Sequence, residues 1–211
     1  MTERISHGDH RSAEPELSVV IPVYDEAPSI ADVAQRLGAW LATRAASFEL
    51  WLIDDGSTDG TGTILEHAAT AQPGLCLDGF RLNRGRGAAL RRGLSRARAP
   101  VVLTTEADLS WGFDTLERLE VAVRSGGADV AVASPHRAGG RLVNVPLSRR
   151  ALSVGANQLA RLALGRDVTM ATGATRAYRR DVLRRILSPL DGKAFHLDTL
   201  CRALRAGCRI D

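Results

Sequence analysis

Short apolar runs recur along this chain at a spacing that leaves room for one helix between each pair. Leu17–Val23 (LSVVIPV), Phe48–Ile53 (FELWLI), Leu75–Leu82 and Val101–Leu103 are bounded by turn residues and rich in β-branched or large apolar side chains, so they read as buried strands. The segments between them are amphipathic. One helix is predicted from about Ser29 to Ala42, with Ile30, Val33, Leu37 and Leu41 on one stripe; others run to about Ala71 and through Ala97. A strand at Asp129–Ser134 and helices near 113–124, 147–164, 181–187 and 195–206 complete the pattern. Strands of about six residues alternating with helices imply an α/β fold, with a mostly parallel sheet covered by helices on both faces. The expected organisation is a polar, disordered tail at 1–15 and a single domain over 16–211.

Composition narrows the function only slightly. The chain has 211 residues, enough for one domain with a substantial core. Its net charge is +4, and Lys193 is the only lysine among 28 basic residues. Arginine forks suit phosphate, but a general bias towards arginine explains the count equally well. The charge therefore permits an anionic substrate or a membrane surface without selecting either. Cys76, Cys201 and Cys208 are odd in number and show no CxxC spacing, so a reducing compartment is expected. No secretory signal pattern opens the chain, and no apolar run approaches the roughly 20 residues that span a bilayer. The expected location is cytoplasmic, with any membrane contact peripheral and at the cytoplasmic face. No nucleic-acid partner is expected.

The run at Val101 ends in two carboxylates one residue apart, Glu106 and Asp108. Acidic groups at the carboxyl end of a parallel strand sit where open α/β sheets bind ligands. Two carboxylates this close repel unless a cation lies between them. Hard oxygen donors at this spacing suit Mg²⁺ or Mn²⁺, which keep waters and bridge to substrate phosphates. After the second strand, Asp54-Asp55-Gly56-Ser57-Thr58-Asp59-Gly60 offers both helix-capping groups and ligand contacts. Gly85-x-Gly87 lacks the third glycine of a dinucleotide-binding turn. His136 and His196 read as structural, and Trp111 as a core residue or a lid.

Four elements occur in a fixed order: IPVYDE (Ile21–Glu26), DDGSTDGT (Asp54–Thr61), the Arg/Gly segment from Arg81 to Leu94, and EADLS (Glu106–Ser110). With them the chain resembles the family 2 glycosyltransferases of the GT-A fold. The later segments GGRLVNVPLSRRALSVGANQLARLALG and TRAYRR make it most similar to the dolichol-phosphate mannose synthase-like, polyprenyl-phosphate branch. The resemblance covers about residues 16–210. It implies that Pro22, Tyr24 and Glu26 meet the base and ribose of a nucleotide, with Asp55 and Ile53 beside them. It maps the family's D-A-D onto Glu106, Ala107 and Asp108 as the metal and diphosphate site, with Ser110 where the family often has glutamine. Glu106 is one carbon–carbon bond longer than aspartate, about 1.5 Å of extra reach. The family's G-S-R-Y reads Ala133-Ser134-Pro135-His136, so its arginine is replaced; Arg137 is the nearest substitute. Arg149 matches an arginine facing an acceptor phosphate. Asp198, in Phe195-His196-Leu197-Asp198, matches an acidic position. The C-terminal strand and membrane-proximal residues of the family, expected after Ile210, are not in the sequence.

The implied function is inverting transfer of a hexose, mannose or glucose, from a GDP- or UDP-sugar to a polyprenyl or dolichyl phosphate, assisted by Mg²⁺ or Mn²⁺. Asp108, Arg149 and Asp198 are the candidate catalytic residues. An acceptor phosphate needs no strong general base, because its second pKa lies near 6. A hydroxyl acceptor on a glycan or small molecule would need one, and Asp198 is the candidate. A non-catalytic nucleotide-sugar-binding relative is the third reading, motivated by the departures at Glu106, Pro135 and Thr172–Thr175.

Overall fold

The computed structural model describes residues 3–7, 14–134 and 173–211. The strands are β1 (Glu3–His7), β2 (Leu17–Val23), β3 (Phe48–Asp55), β4 (Leu75–Phe80), β5 (Val101–Thr104), β6 (Val130–Val132) and β7 (Arg176–Arg179). The helices are α1 (Ile30–Arg44), α2 (Thr61–Ala71), α3 (Arg86–Arg96), α4 (Gly112–Arg124), α5 (Arg180–Ile186) and α6 (Ala194–Arg205). All seven strands form one sheet in the order β1-β4-β3-β2-β5-β7-β6. The central strands β4, β3, β2 and β5 are parallel; β1 and β7 pair antiparallel to their neighbours.

Period-two alternation puts the apolar strand residues on two faces. Leu17, Val19, Ile21, Leu50, Leu52, Val101 and Leu103 pack with α1, α2 and α4, while Val20, Trp51, Ile53 and Val102 pack with α3, α5 and α6. Both faces are covered, as the alternation of strands and helices predicts. Trp111, partly buried, packs against the first of these clusters.

One expectation is corrected. Residues 3–7, read as part of a disordered tail, form an edge strand against β4, with Glu3 opposite Phe80 and His7 opposite Leu77. The edge of β4 otherwise offers a row of unpaired N–H and C=O groups, a template that a polar segment can pair with without an apolar pattern of its own. The predicted helix at 147–164, with His136, Arg137 and Arg149, lies outside the described residues. At the C-terminal end, Ile210 makes a parallel bridge to Val130.

The connection leaving β2 goes to β3 on one side, while β5 lies on β2's other side. The carboxyl ends of β2, β3 and β5 therefore diverge around a crevice, the usual ligand position in an open parallel sheet.

Candidate active site

Two of the loops at this crevice, those after β2 and β3, are tied together by side-chain hydrogen bonds. The chain turns sharply after β2, with Asp25 at φ 52°, a left-handed conformation that aspartate tolerates better than most residues. The turn is held from 32 to 35 residues away: the Asp25 N–H donates to Ser57 Oγ at 3.0 Å, and the Asp25 carboxylate accepts the Thr58 N–H at 2.8 Å. The Glu26 N–H donates to Thr61 Oγ1 at 2.9 Å and the Ala27 N–H to Asp59 Oδ2 at 3.0 Å. Hydrogen bonds from Thr61, first of all, and from the Ala27 N–H hold the Asp59 carboxyl below its usual range. Gly56 (φ 79°) is required, because a Cβ there would lie 2.5 Å from the Leu82 carbonyl carbon.

Asp54 and Asp55 divide the work of this loop. Asp54, 1% exposed, accepts the Ser57 N–H at 2.9 Å and holds the loop. Asp55 faces the crevice and accepts the Arg84 N–H at 2.9 Å. Burial raises its pKa, and hydrogen bonds from the Arg84 and Gly85 backbone partly oppose that.

The acidic pair follows β5. Glu106 Oε1 lies 3.0 Å from Arg86 Nη1, so the first carboxylate already faces a cation. Asp108 Oδ1 accepts the Ser110 N–H at 3.0 Å, leaving Oδ2 available. Directly after the pair, Leu109 has φ 49°, a costly conformation for a bulky side chain, held by packing against the core and by the Leu109 N–H to Glu106 carbonyl bond of 3.2 Å.

These loops and the start of α6 enclose a cavity of about 690 Å³. Pro22, Tyr24, Glu26, Asp55, Glu106, Ala107 and Asp108 all line it, so seven predicted site residues from three separated motifs meet in one place. Tyr24 is 46% exposed there, and the neighbouring Asp25 raises its phenol pKa, keeping it a neutral donor.

Three predicted site residues lie elsewhere. Ile53 is fully buried under α3, where a Cβ on Gly93 would come within 2.9 Å of its Cγ1. It shares a face with Asp55 but sits one pleat deeper. Ser110 contributes its backbone N–H to Asp108, and its side chain does not line the cavity. Asp198 accepts Ser188 Oγ and Arg202 Nε, each at 2.7 Å, and fixes α6 to the α5–α6 connection. Ser188, Arg202 and Arg205 together hold its carboxyl below the ordinary range, and it does not line the cavity.

Sequence reasoning missed Arg86, Lys193 and His196, all of which line the cavity. His196 is 3% exposed, and among the described residues neither ring nitrogen has a hydrogen-bond partner. Burial, with Arg176 and Arg86 nearby, pushes its pKa down to about 3, so the ring is neutral. The available signals were the place of Arg86 within the Arg81–Leu94 segment and that of Lys193 as the chain's single lysine.

A divalent ion fits the acidic pair under one condition. Among the described residues no group of three or more His, Cys, Asp and Glu side chains could hold a metal. Glu106 and Asp108 can supply two oxygens, and substrate phosphate and water must supply the rest, as is usual for Mg²⁺.

The model of the family described as "Glycosyl transferase family 2" matches residues 18–187. The polyprenol monophosphomannose synthase of Mycolicibacterium smegmatis is 35% identical over 201 residues, covering 90% of this chain and 72% of the relative. The undecaprenyl-phosphate mannosyltransferase of Micrococcus luteus is 33% identical over 198 residues, covering 90% of this chain and 79% of the relative. Among solved structures, a mannosyltransferase from Pyrobaculum calidifontis in complex with GDP-Man and Mn²⁺ superposes with a TM-score of 0.65 at 24% identity, over 94% of this chain and 55% of that one. That likeness carries the fold. The chain belongs to glycosyl transferase family 2 and has its GT-A fold.

Proposed function

We propose that this chain is an inverting glycosyltransferase that moves a hexose from a GDP- or UDP-sugar to a polyprenyl or dolichyl phosphate. One observation carries the reading: the Tyr24–Glu26 turn and Asp55 share a single cavity with the acidic pair Glu106 and Asp108. Tyr24 and Pro22 offer an apolar wall for a base, and Asp55 a carboxylate for its ribose or ring N–H groups. The acidic pair lies where the diphosphate must then fall. Mannose is the favoured sugar and GDP the favoured nucleotide carrier, because the relatives above are named for mannosyl transfer to polyprenol or undecaprenyl phosphate and the similar solved structure holds GDP-Man with Mn²⁺.

Mn²⁺ or Mg²⁺ held by Glu106 and Asp108 would neutralise charge on the departing diphosphate. The chain's own residues bind and orient. The acceptor phosphate oxygen bonds to the sugar's anomeric carbon as the bond from that carbon to the diphosphate oxygen breaks. The electron pair leaves with the nucleoside diphosphate, the anomeric centre inverts, and no proton moves.

The states of Asp198 and His196 support an acceptor that is already an anion. Asp198 is bound to Ser188 and Arg202 outside the cavity. His196, with a pKa of about 3, is a poor proton acceptor at neutral pH. Contact with a membrane would be through its surface; no helix among the described residues is long and apolar enough to cross one.

The test is incubation of the purified protein with labelled GDP-mannose, UDP-glucose and related donors, Mn²⁺ or Mg²⁺, and short polyprenyl phosphates. Labelled lipid phosphate is the expected product. Transfer only to hydroxyl acceptors would redirect the reading to glycans or small molecules, and tight donor binding without turnover would make the chain a binding protein.

A further inference from the structure

Opposite the acidic pair, the cavity is walled by the first turns of two helices packed almost backbone to backbone. A Cβ on Gly87 would lie 2.6 Å from the Gly192 carbonyl oxygen and 2.7 Å from Phe195 Cβ, and one on Gly85 would lie 3.2 Å from Gly192 Cα. Glycines at these positions let α3 and α6 start side by side. Neither helix has a side-chain cap: Gly85 and Lys193 hold the N-cap positions and leave N–H groups of the first turns unclaimed by side chains. Each terminus carries about half a positive charge. Arg86 and Lys193 add two full ones, of which Arg86 commits one nitrogen to Glu106.

Helix termini and basic residues alone would describe many protein surfaces. His196 is the independent observation. It sits in the first turn of α6, lines the cavity, is only 3% exposed, and has no hydrogen-bond partner for either ring nitrogen among the described residues. A buried polar ring costs free energy unless something bonds to it. The group that suits an imidazole N–H beside two cations and two helix N-termini is an oxyanion.

We propose that Arg86, Lys193, His196 and the starts of α3 and α6 form a phosphoryl-binding pole of the cavity, facing the acidic pair. The inference rests on the transferase reading for the identity of its ligand, which is a phosphate group of either the donor's diphosphate or the acceptor. With a metal engaging Glu106, Arg86 would turn from that carboxylate to the phosphoryl oxygens. His196 donates one N–H to the same group and fixes its orientation.

The experiment is calorimetry on the full chain with Mn²⁺, comparing guanosine, uridine, GDP, UDP and a short polyprenyl phosphate. The variants are Arg86→Gln, Lys193→Gln and His196→Gln; the first two alter exposed side chains and so keep the proposal testable if His196→Gln does not fold. Loss of one charge-assisted bond should weaken a phosphoryl ligand roughly ten- to hundredfold while leaving nucleoside binding unchanged. A loss confined to the nucleoside diphosphate assigns the pole to the leaving group, and a loss confined to the polyprenyl phosphate assigns it to the acceptor. Wild-type affinities retained by Arg86→Gln and Lys193→Gln for both ligands overturn the pole but leave the transferase reading standing. A wild-type protein that binds no phosphoryl ligand overturns both.

Discussion

The Arg86 guanidinium lies 3.0 Å from the Glu106 carboxylate, across the 20 residues that separate the start of α3 from the loop after β5. The first carboxylate of the acidic pair thus holds a cation of the protein's own. Both partners are partly exposed, so the pair itself contributes less than about 1 kcal/mol to stability. Its consequence is for metal binding. Arg86→Gln should tighten Mn²⁺ binding to the protein without nucleotide by several-fold, read by Mn²⁺ electron paramagnetic resonance, with the melting temperature nearly unchanged. Unchanged Mn²⁺ affinity would show that Arg86 and the metal do not compete for Glu106.

Asp59 braces the turn after β2 from outside the cavity. Its carboxylate accepts the Ala27 N–H, the Thr61 N–H and the Thr61 hydroxyl, and so holds the turn that carries Tyr24. Asp59→Ala should weaken nucleotide-sugar binding about tenfold, the effect of losing one to two net hydrogen bonds. Equal affinities by calorimetry would mean that the turn keeps its shape without this clamp.

Ile53 and Tyr24 should separate stability from binding. Ile53 is fully buried beneath α3, and Ile53→Ala should cost about 2–5 kcal/mol in urea unfolding. Tyr24, half exposed at the cavity mouth, should cost little when changed to alanine but should weaken the donor. A stable Ile53→Ala variant with lost donor affinity would return Ile53 to the site.

His196 predicts a pH dependence of stability. Its folded pKa is about 3 and its ordinary value 6.5, so between these the unfolded chain binds one more proton. Stability is complete above about pH 6.5 and falls as pH drops, by up to about 1.4 kcal/mol per unit from this group. His196→Gln should flatten the slope between pH 5 and 6.5, where carboxylate titration contributes least. Identical slopes in the two proteins would place the imidazole in contact with water.

The α/β alternation was legible because strand-forming runs and turn signals coincide, as at Val23, Asp55 and Thr104, where apolar sequence gives way to Asp, Gly and Ser. Motif order then identified half of the residues that line the cavity. What escaped the sequence depends on distant partners. β1 takes its conformation from the open edge of β4. Ile53 and Asp55 share a face, and only the placement of α3 over the sheet decides which of them reaches the cavity. Asp198 looked available as a base until Ser188 and Arg202 claimed it. His196 became a cavity residue because three glycines let α3 and α6 approach, and no local pattern records that contact.

Calorimetric titration of GDP-mannose, with UDP-sugars alongside, into wild-type protein and Asp108→Asn, each with Mn²⁺ and with chelator, tests the joint role of the acidic pair and the nucleotide loops. The prediction is binding by the wild type that weakens at least tenfold when metal is removed, and loss of that metal dependence in Asp108→Asn. A nucleotide sugar bound equally well by both proteins, with and without metal, would contradict it.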